Sequence, residues 1–373
     1  VEEQQQQLDI LLQSQRQQGF QLSQAPLMRL HLIQFADECY QFVWNHHHLL
    51  LDGWSLPLVL KDLLYFYQTF YRGENLGHQP ALNYRNYIAW LQEQSLPKAK
   101  EFWQYKLKGF IAPTPLTVDT LPLLREQSNQ EQLVSFSEQQ IQLTVQATEK
   151  AKSFVRQHQL TINNLVQAAW ALLLSRYSGQ TEVVFGATVS GRPPSLVGIE
   201  SMVGLFINTL PVLVKVSAET ELLPWLKNLQ AQQVECEQYS YSPLVEIQGV
   251  SEIPKGTSLF DSIVVFENYP LDAAAEQYDC GLSISNIQTT EQTNYPLAVV
   301  AVLDEQLSVK ITYDTSKFDS ATVTRMLGHF QTLFEGIVAN SVGSIEQLPM
   351  LTEVERQQLL IDWNSTAAEY PQD

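Results

Sequence analysis

The chain has 373 residues, a length that suits two or three domains at about 150 residues each. Hydrophobic residues make up 45% and charged residues only 17%, which excludes a disordered, charge-rich chain and leaves ample material for a core. With 22 basic against 40 acidic residues the net charge is −18, so a basic nucleic-acid footprint is excluded and an anionic membrane surface is disfavoured.

No segment reaches the ~20 apolar residues of a membrane helix; the longest candidates are Ala168–Ser175 and Leu297–Leu303. The opening VEEQQQQLDILLQSQRQQG lacks the basic and apolar regions of a signal peptide. It also lacks an initiator Met, so the chain reads as an excerpt from a longer protein. Cys39, Cys236 and Cys280 are odd in number, far apart and outside C-x-x-C pairs. Neither a disulfide framework nor a zinc knuckle is indicated, and a cytoplasmic location is expected.

Ten of the first 24 residues are Gln. That run reads as a low-complexity tail or, because Leu8, Leu11, Leu12 and Phe20 interrupt it, as a helix. A hairpin is predicted next: Leu27–Phe35, a turn at Ala36-Asp37-Glu38, and Cys39–His48. Leu50–Gly53 forms a loop. A helix follows from Ser55 to Arg72, with Ser55 as N-cap, Pro57 in the first turn and Gly73 past the end. Its apolar positions Leu56, Val59, Leu60, Leu63, Leu64, Tyr67, Phe70 and Tyr71 predict a stripe packed on a core. Further helices are predicted at Tyr84–Gln94 and Pro97–Lys108.

Residues 109–135 are rich in Pro, Thr and Ser and read as a connector. Beyond it, strands are predicted near Leu133–Phe136 and at Ile141–Val145, and helices at Thr148–Gln157 and Thr161–Tyr177. Strands at Glu182–Val189 and Leu210–Val216 precede a helix at Leu222–Glu237. Strands at Ile263–Glu267, Leu282–Ile287, Leu297–Leu303 and Leu307–Tyr313 precede a last helix at Ser320–Val338. This interleaving predicts α+β layers, with helices covering one face of a mixed sheet.

The densest chemistry lies in Asn45-His46-His47-His48-Leu49-Leu50-Leu51-Asp52-Gly53-Trp54-Ser55, where four of 11 residues are ionisable. Strand alternation puts Phe42, Trp44, His46 and His48 on one face and Val43, Asn45 and His47 on the other. Neighbouring histidines then have different jobs. Three readings compete. The histidines are hydrogen-bonded groups at a strand end. Or His46 and His48 chelate zinc, which needs a third ligand that no nearby Cys supplies. Or a histidine does acid–base chemistry near neutral pH, with Asp52 shaping the loop and Gly53 bringing backbone close to a substrate.

His47-His48-x-x-x-Asp52-Gly53 resembles the HHxxxDG signature of condensation domains of nonribosomal peptide synthetases. Tyr84-Arg-Asn-Tyr-Ile-Ala-Trp90 resembles the family's YxxYxxW segment. Gly191-Arg-Pro193 and Met202–Pro211 resemble its GRP and VGxFxNT elements. Tyr241–Gln248, Leu259–Pro270 and Asn294–Leu297 resemble later segments. His46 and the wording GLFINTLP and LFDSIVVFENYP resemble the subtype that joins an L-configured donor to an L-configured acceptor. Heterocyclisation relatives carry aspartates in place of both histidines, and epimerisation relatives differ from Trp54-Ser-Leu-Pro57 after the DG.

The resemblance implies a two-lobed, chloramphenicol-acetyltransferase-like α+β fold, each lobe a mixed sheet covered by helices, V-shaped around a central tunnel. It implies an N-terminal lobe over residues 1–110, a connector and C-terminal lobe over 111–348, and a linker towards an adenylation domain over 349–373. The implied reaction is attack of an acceptor amine on a donor thioester, forming an amide. Holding two tethered substrates in near-attack geometry is alone worth roughly 7–11 kcal/mol. His48 has the central role, either as general base or by positioning the amine and stabilising the charged intermediate. Gly53 offers backbone beside the reacting carbonyl, while His47 and Asp52 are structural, Asp52 through an ion pair. Trp54, Asn208 and Asn294 are substrate-binding candidates; a turn or strand-end Asn that satisfies backbone is the competing reading of the last two. Arg192 either structures a loop or pairs with an acidic group.

No metal or cofactor of the domain itself is implied. Substrates arrive on phosphopantetheine arms of upstream donor and downstream acceptor carrier proteins, with an adenylation domain adjacent. The family's carriers are acidic, as is this chain, so contact relies on tethering and local patches; Lys98, Lys100, Lys106 and Lys108 form the basic run. Two alternatives are a non-catalytic docking module, against which the intact His47, His48, Asp52 and Gly53 speak, and a coenzyme A-dependent HxxxD acyltransferase. The chain also departs from the family pattern. The family's earliest motifs lie ahead of residue 1, and the Arg expected to pair with the motif Asp is placed among them. An incomplete, less stable N-terminal lobe is therefore expected. Glu291-Gln-Thr-Asn294 stands where the last core motif carries arginines.

Overall fold

The computed structural model describes residues 2–75, 77, 82–116, 135–267, 281–285, 287–291, 293–340 and 342–365. Cys280, most of the expected connector, the end of the Leu259–Pro270 segment and the last eight residues of the linker, 366–373, lie outside them. The described chain packs as two units. One draws mainly on Val1–Glu93 and Arg192–Ile207; the other draws on Gln94–Gly191, Asn208–Asn268 and Asn286–Asp373. The division therefore does not follow a single cut along the chain.

In the first unit the Gln-rich start is helix α1 (Glu2–Gln18), and Leu8 is buried. Strands β1 (Met28–Ala36) and β2 (Cys39–His46) form an antiparallel hairpin, with Met28 opposite His46 and Leu30 opposite Trp44. Arg29 ties the helix to the hairpin. Its guanidinium donates to Gln15 Oε1 at 3.1 Å and to the Gly19 carbonyl at 2.7 Å, and lies 4.4 Å over the Phe20 ring.

Helix α2 (Leu56–Tyr71) matches the expected span, but two details differ. Ser55 makes no capping bond to it, because its hydroxyl is used elsewhere; the turn Gly53–Ser55 is capped by Asp52 instead. The apolar stripe is also only partly covered among the described residues: Leu64 is buried, but Leu63, Phe70 and Tyr71 are exposed. Helix α3 (Arg85–Gln92) places Tyr87 in a small core with Ile199, Met202 and Phe206.

The second unit contains α4 (Leu96–Lys106), β3 (Phe136–Gln142), α5 (Val145–His158), α6 (Ile162–Ser178), β4 (Glu182–Val189), β5 (Asn208–Lys215), α7 (Leu222–Glu237), α8 (Leu244–Val250), β6 (Ser262–Glu267), β7 (Leu297–Leu303), β8 (Leu307–Asp314), α9 (Ser320–Ala339) and α10 (Glu353–Gln357). Its six strands run in the order β3-β8-β7-β6-β4-β5. β6 lies parallel to β4 and β7, and the other pairs are antiparallel, so the sheet is mixed as expected. Helix α6 opens on a reciprocal Thr161–Asn164 capping box. It then buries an unbroken run from Asn164 to Ser175, as a helix apolar nearly all round must. Trp170 and Leu172 pack in one core with Phe330 and Phe334 of α9.

Some expectations fail for local reasons. Around 133–145, where two strands are expected, Leu133 and Val134 lie outside the described residues and one strand, β3, spans Phe136–Gln142. Thr144 accepts a hydrogen bond from Ala147 N–H and starts α5 there, so extended backbone stops short of Val145. The described residues of Leu282–Ile287 form no strand. Helix α8 is too short to show a period and was not expected. Lys100 and Lys106 of the basic run pair with Glu246 at 2.7 Å and Glu235 at 3.0 Å, which neutralises half of it. No helix among the described residues is long and apolar enough to cross a membrane.

Past α9 the chain folds back along that helix. A Cβ on Gly336 would stand 3.1 Å from Pro349 Cδ, and one on Gly328 would stand 3.3 Å from Thr352 Cγ2, so both glycines permit the close approach. Thr352 and Glu355 form a capping box that opens α10. Glu355 also accepts from His329 Nε2 at 2.9 Å, and His329 Nδ1 shares a 2.7 Å hydrogen bond with the Tyr177 hydroxyl. Partial burial pushes the Glu355 carboxyl up, but the Thr352 hydrogen bonds and His329 outweigh it, and the net shift is down.

This packing sets the response to two substitutions. A methyl on Gly186 would meet Phe260 Cε2 at 2.3 Å and Thr209 Cγ2 at 2.8 Å. Gly186→Ala is expected to cost about 1–3 kcal/mol by overpacking, read as a lower urea midpoint at constant slope. A carboxylate whose folded-state pKa is lowered contributes stability above its unfolded value and loses it as pH falls through the folded value. The stability gap between wild type and Glu355→Gln is therefore expected in full near neutral pH and should close on acidification; thermal melts across pH check it, and a gap that widens in acid contradicts it.

Candidate active site: the histidine turn and its anchor

The strand that delivers the histidines ends at His46. His47 N–H still donates to the Leu27 carbonyl at 2.9 Å, but Leu50 N–H then donates to the His47 carbonyl at 3.0 Å and closes a turn. His48 stands in that turn, exposed, and not in the strand. The expected alternation therefore stops two residues early, and His46 and His48 do not share a strand face. His47 is half-buried and engaged: its Nδ1 accepts from Leu49 N–H at 3.1 Å, and its ring meets Phe20 edge-on at 6.3 Å. His46 tilts against Trp44 at 5.1 Å. Burial, and then the charges of His48 and His47, lower its pKa, so it prefers the neutral form.

The far end of the loop is fixed by Asp52, whose side chain is fully buried. Oδ1 accepts from Ser55 N–H at 3.0 Å, Ser55 Oγ at 2.9 Å and Arg192 Nη2 at 3.2 Å. Oδ2 accepts from Phe206 N–H at 2.9 Å. Within this chain the motif carboxylate pairs with Arg192 of the Gly191-Arg-Pro193 element, the residue expected either to structure a loop or to pair with an acidic group. Arg192 is itself fixed: Nη1 donates to the Ile199 carbonyl at 2.6 Å and the Met202 carbonyl at 3.0 Å, and the guanidinium lies 4.0 Å over the Phe206 ring.

Tyr84, from the YxxYxxW segment, supports the same knot. Its hydroxyl donates to the Leu205 carbonyl at 2.5 Å, and its ring packs edge-on to Phe206 at 5.0 Å. Burial, then Tyr84 and Asp52, push Tyr87 up to about 12 despite Arg192, so it stays a neutral phenol. The Tyr84 phenol is pushed up likewise, by burial and then by Asp52.

Gly53 is half-buried and opens the short turn after Asp52; Trp54 is 36% exposed. Asn208 and Asn294 belong to the second unit. Both amide hydrogens of Asn208 are committed, to the Ser240 carbonyl at 2.8 Å and the Ser242 carbonyl at 2.6 Å, and its Oδ1 accepts from Thr209 N–H. Asn294 is exposed. No group of three or more His, Cys, Asp or Glu side chains among the described residues is placed to hold a metal.

Sequence reasoning missed Gly204 and the network role of Ser55. The only sequence signal for either was position within a motif. A buried charge left without its partner typically costs 3–5 kcal/mol. Arg192→Met is expected to destabilise by about that amount. Asp52→Asn combined with Arg192→Met is expected to cost less than the two single changes added together, as a double-mutant cycle in urea checks.

A family profile described as "Condensation domain" matches residues 1–360. One of the linear gramicidin synthase proteins of Brevibacillus parabrevis is 44% identical over 371 residues, covering 100% of this chain and 5% of that protein. Bacitracin synthase 3 of Bacillus licheniformis is 34% identical over 368 residues, covering 98% of this chain and 6% of that protein. The chain thus spans a small fraction of the curated relatives it matches. The crystal structure of the X-domain from teicoplanin biosynthesis matches with a TM-score of 0.74 at 20% identity, over 90% of this chain and 78% of that one. A starter condensation domain of rhizomide synthetase, in complex with C8-CoA, matches with a TM-score of 0.75 at 18% identity, over 93% and 77%. These structural likenesses carry the fold, and with a profile match over almost the whole length the chain belongs to the condensation domain family.

Proposed function

We propose that this chain forms amide bonds in nonribosomal peptide synthesis. The amine of an acceptor aminoacyl thioester attacks the carbonyl of a donor aminoacyl or peptidyl thioester, both held on phosphopantetheine arms of carrier proteins. One observation carries the reading. His48 stands exposed in a turn closed on the hairpin at one end and on the buried Asp52–Arg192 pair at the other, in a chain of the condensation domain family. The setting is supported by relatives named as gramicidin and bacitracin synthases.

In this reaction a C–N bond forms as a C–S bond breaks, the donor arm leaves as a thiol, and the attacking nitrogen gives up one proton. His48 accepts that proton and passes it to the departing sulfur, and Gly53 offers its backbone to the oxyanion of the tetrahedral intermediate. His47 and Asp52 hold the turn. Trp54 forms wall beside it. Asn208, with its amide hydrogens already committed to carbonyls, acts as scaffold, and Asn294 remains the polar candidate of the second unit. His46 and the wording GLFINTLP and LFDSIVVFENYP support two L-configured substrates. The expected lobe boundary at residue 110 gives way to the two interleaved units described above, and residues 349–373 lead towards an adenylation domain.

His48→Ala and His48→Gln separate proton transfer from positioning, since glutamine can hydrogen-bond the amine but cannot take its proton. With carriers loaded with donor and acceptor, both variants are expected to lose on the order of 10²-fold or more in peptide formed, followed by mass spectrometry. Undiminished product from His48→Ala overturns the role. Product from coenzyme A thioesters without carriers moves the chain to the soluble acyltransferase class.

A further inference from the structure

We infer that Ser55 is a positioning residue of this site, and that its hydroxyl locks the histidine turn to the backbone of Gly204; the inference rests on the amide-forming reading. Ser55 has no exposed surface. Its one hydroxyl hydrogen lies between Asp52 Oδ1 and the Gly204 carbonyl, each 2.9 Å away. Its oxygen accepts from Gly204 N–H and from Arg192 Nη2, each at 3.1 Å. A helix N-cap serine uses its oxygen on its own helix. This one directs every contact to the carboxylate, the guanidinium and a segment 149 residues away.

Gly204 answers with backbone alone. Its carbonyl also accepts from Asp52 N–H at 3.1 Å. A Cβ there would stand 2.1 Å from the Tyr84 ring, so the place of a side chain is filled by the aromatic that also holds Leu205. The loop from His47 to Ser55 therefore has one fixed end at the Leu27 carbonyl and another at Gly204. His48 lies between them, and misplacing a reacting group by about 1 Å can cost on the order of 10²-fold in rate. Ser55 touches no substrate in this account; it acts through the position of the turn.

The test uses the full 373-residue chain with loaded carriers. Ser55→Ala is expected to lower kcat by about tenfold or more while KM for both carriers stays within about twofold, and Ser55→Thr, which keeps the hydroxyl, is expected to recover most of the loss. A folded Ser55→Ala protein with kcat within about twofold of wild type, or a loss confined to KM, overturns the inference. Hydrogen exchange on the wild type reads the lock without any variant. The Gly204 and Phe206 amides are expected among the slow-exchanging amides of the first unit, and free exchange at Gly204 also overturns it. A wild type that forms no peptide while those amides stay protected counts against the amide-forming reading and leaves the lock standing.

Discussion

The first unit is organised by one buried charge pair. Asp52 and Arg192 stand 3.2 Å apart with side chains 0% and 9% exposed. Desolvating each ion costs several kcal/mol. Their attraction at that separation is about 5 kcal/mol at an effective dielectric near 20, so Coulomb energy alone does not offset two desolvations. The difference is met by hydrogen bonds: three further donors on the carboxylate, and two backbone carbonyls and an aromatic face on the guanidinium. Such an arrangement tolerates no half. It fixes two stretches 140 residues apart in one geometry, and that geometry sets where the histidine turn begins and ends.

The second unit is held differently. Its sheet is covered by apolar helices, with α6 buried along most of its length, and its buried polar contacts include uncharged pairs such as Trp103–Ser242 and Trp170–Ser262. The first unit has fewer buried apolar residues among those described and several exposed aromatics on α2. A unit with a small core relies more on directed polar contacts for a unique arrangement, which is where the buried pair and its hydrogen bonds matter most.

Much of this was legible in the sequence. The capping residues and apolar periods located α2, α6, α7 and α9 within a few residues, because there the local signal and the packing agree. Motif order located His48, Asp52 and Arg192. What failed was set by partners distant in sequence. Strand alternation through His48 was a sound local rule, but the Leu27 carbonyl and the His47 turn ended the strand first. Ser55 looked like an N-cap because serine before a Pro-bearing helix start usually is one; only the fold shows Gly204 reaching its hydroxyl. The resemblance placed an Arg partner of Asp52 ahead of residue 1 while Arg192 stood as a candidate within the chain, and only three-dimensional proximity shows that Arg192 pairs with it.

The reliance on Gly204 has a consequence for how this site tolerates change. An anchor made of backbone N–H and C=O carries no side-chain identity, so the loop is registered by chain path and not by a recognisable residue pair. Val203 and Leu205 flank it, and Val203 is 36% exposed. Leu205 stands at the x of the VGxFxNT element, and what the first unit uses of it is its carbonyl, held by the Tyr84 hydroxyl. The strap from Met202 to Phe206 thus separates two duties along five consecutive residues: the Met202 and Phe206 side chains fill the small core, and the Gly204 peptide groups hold the motif.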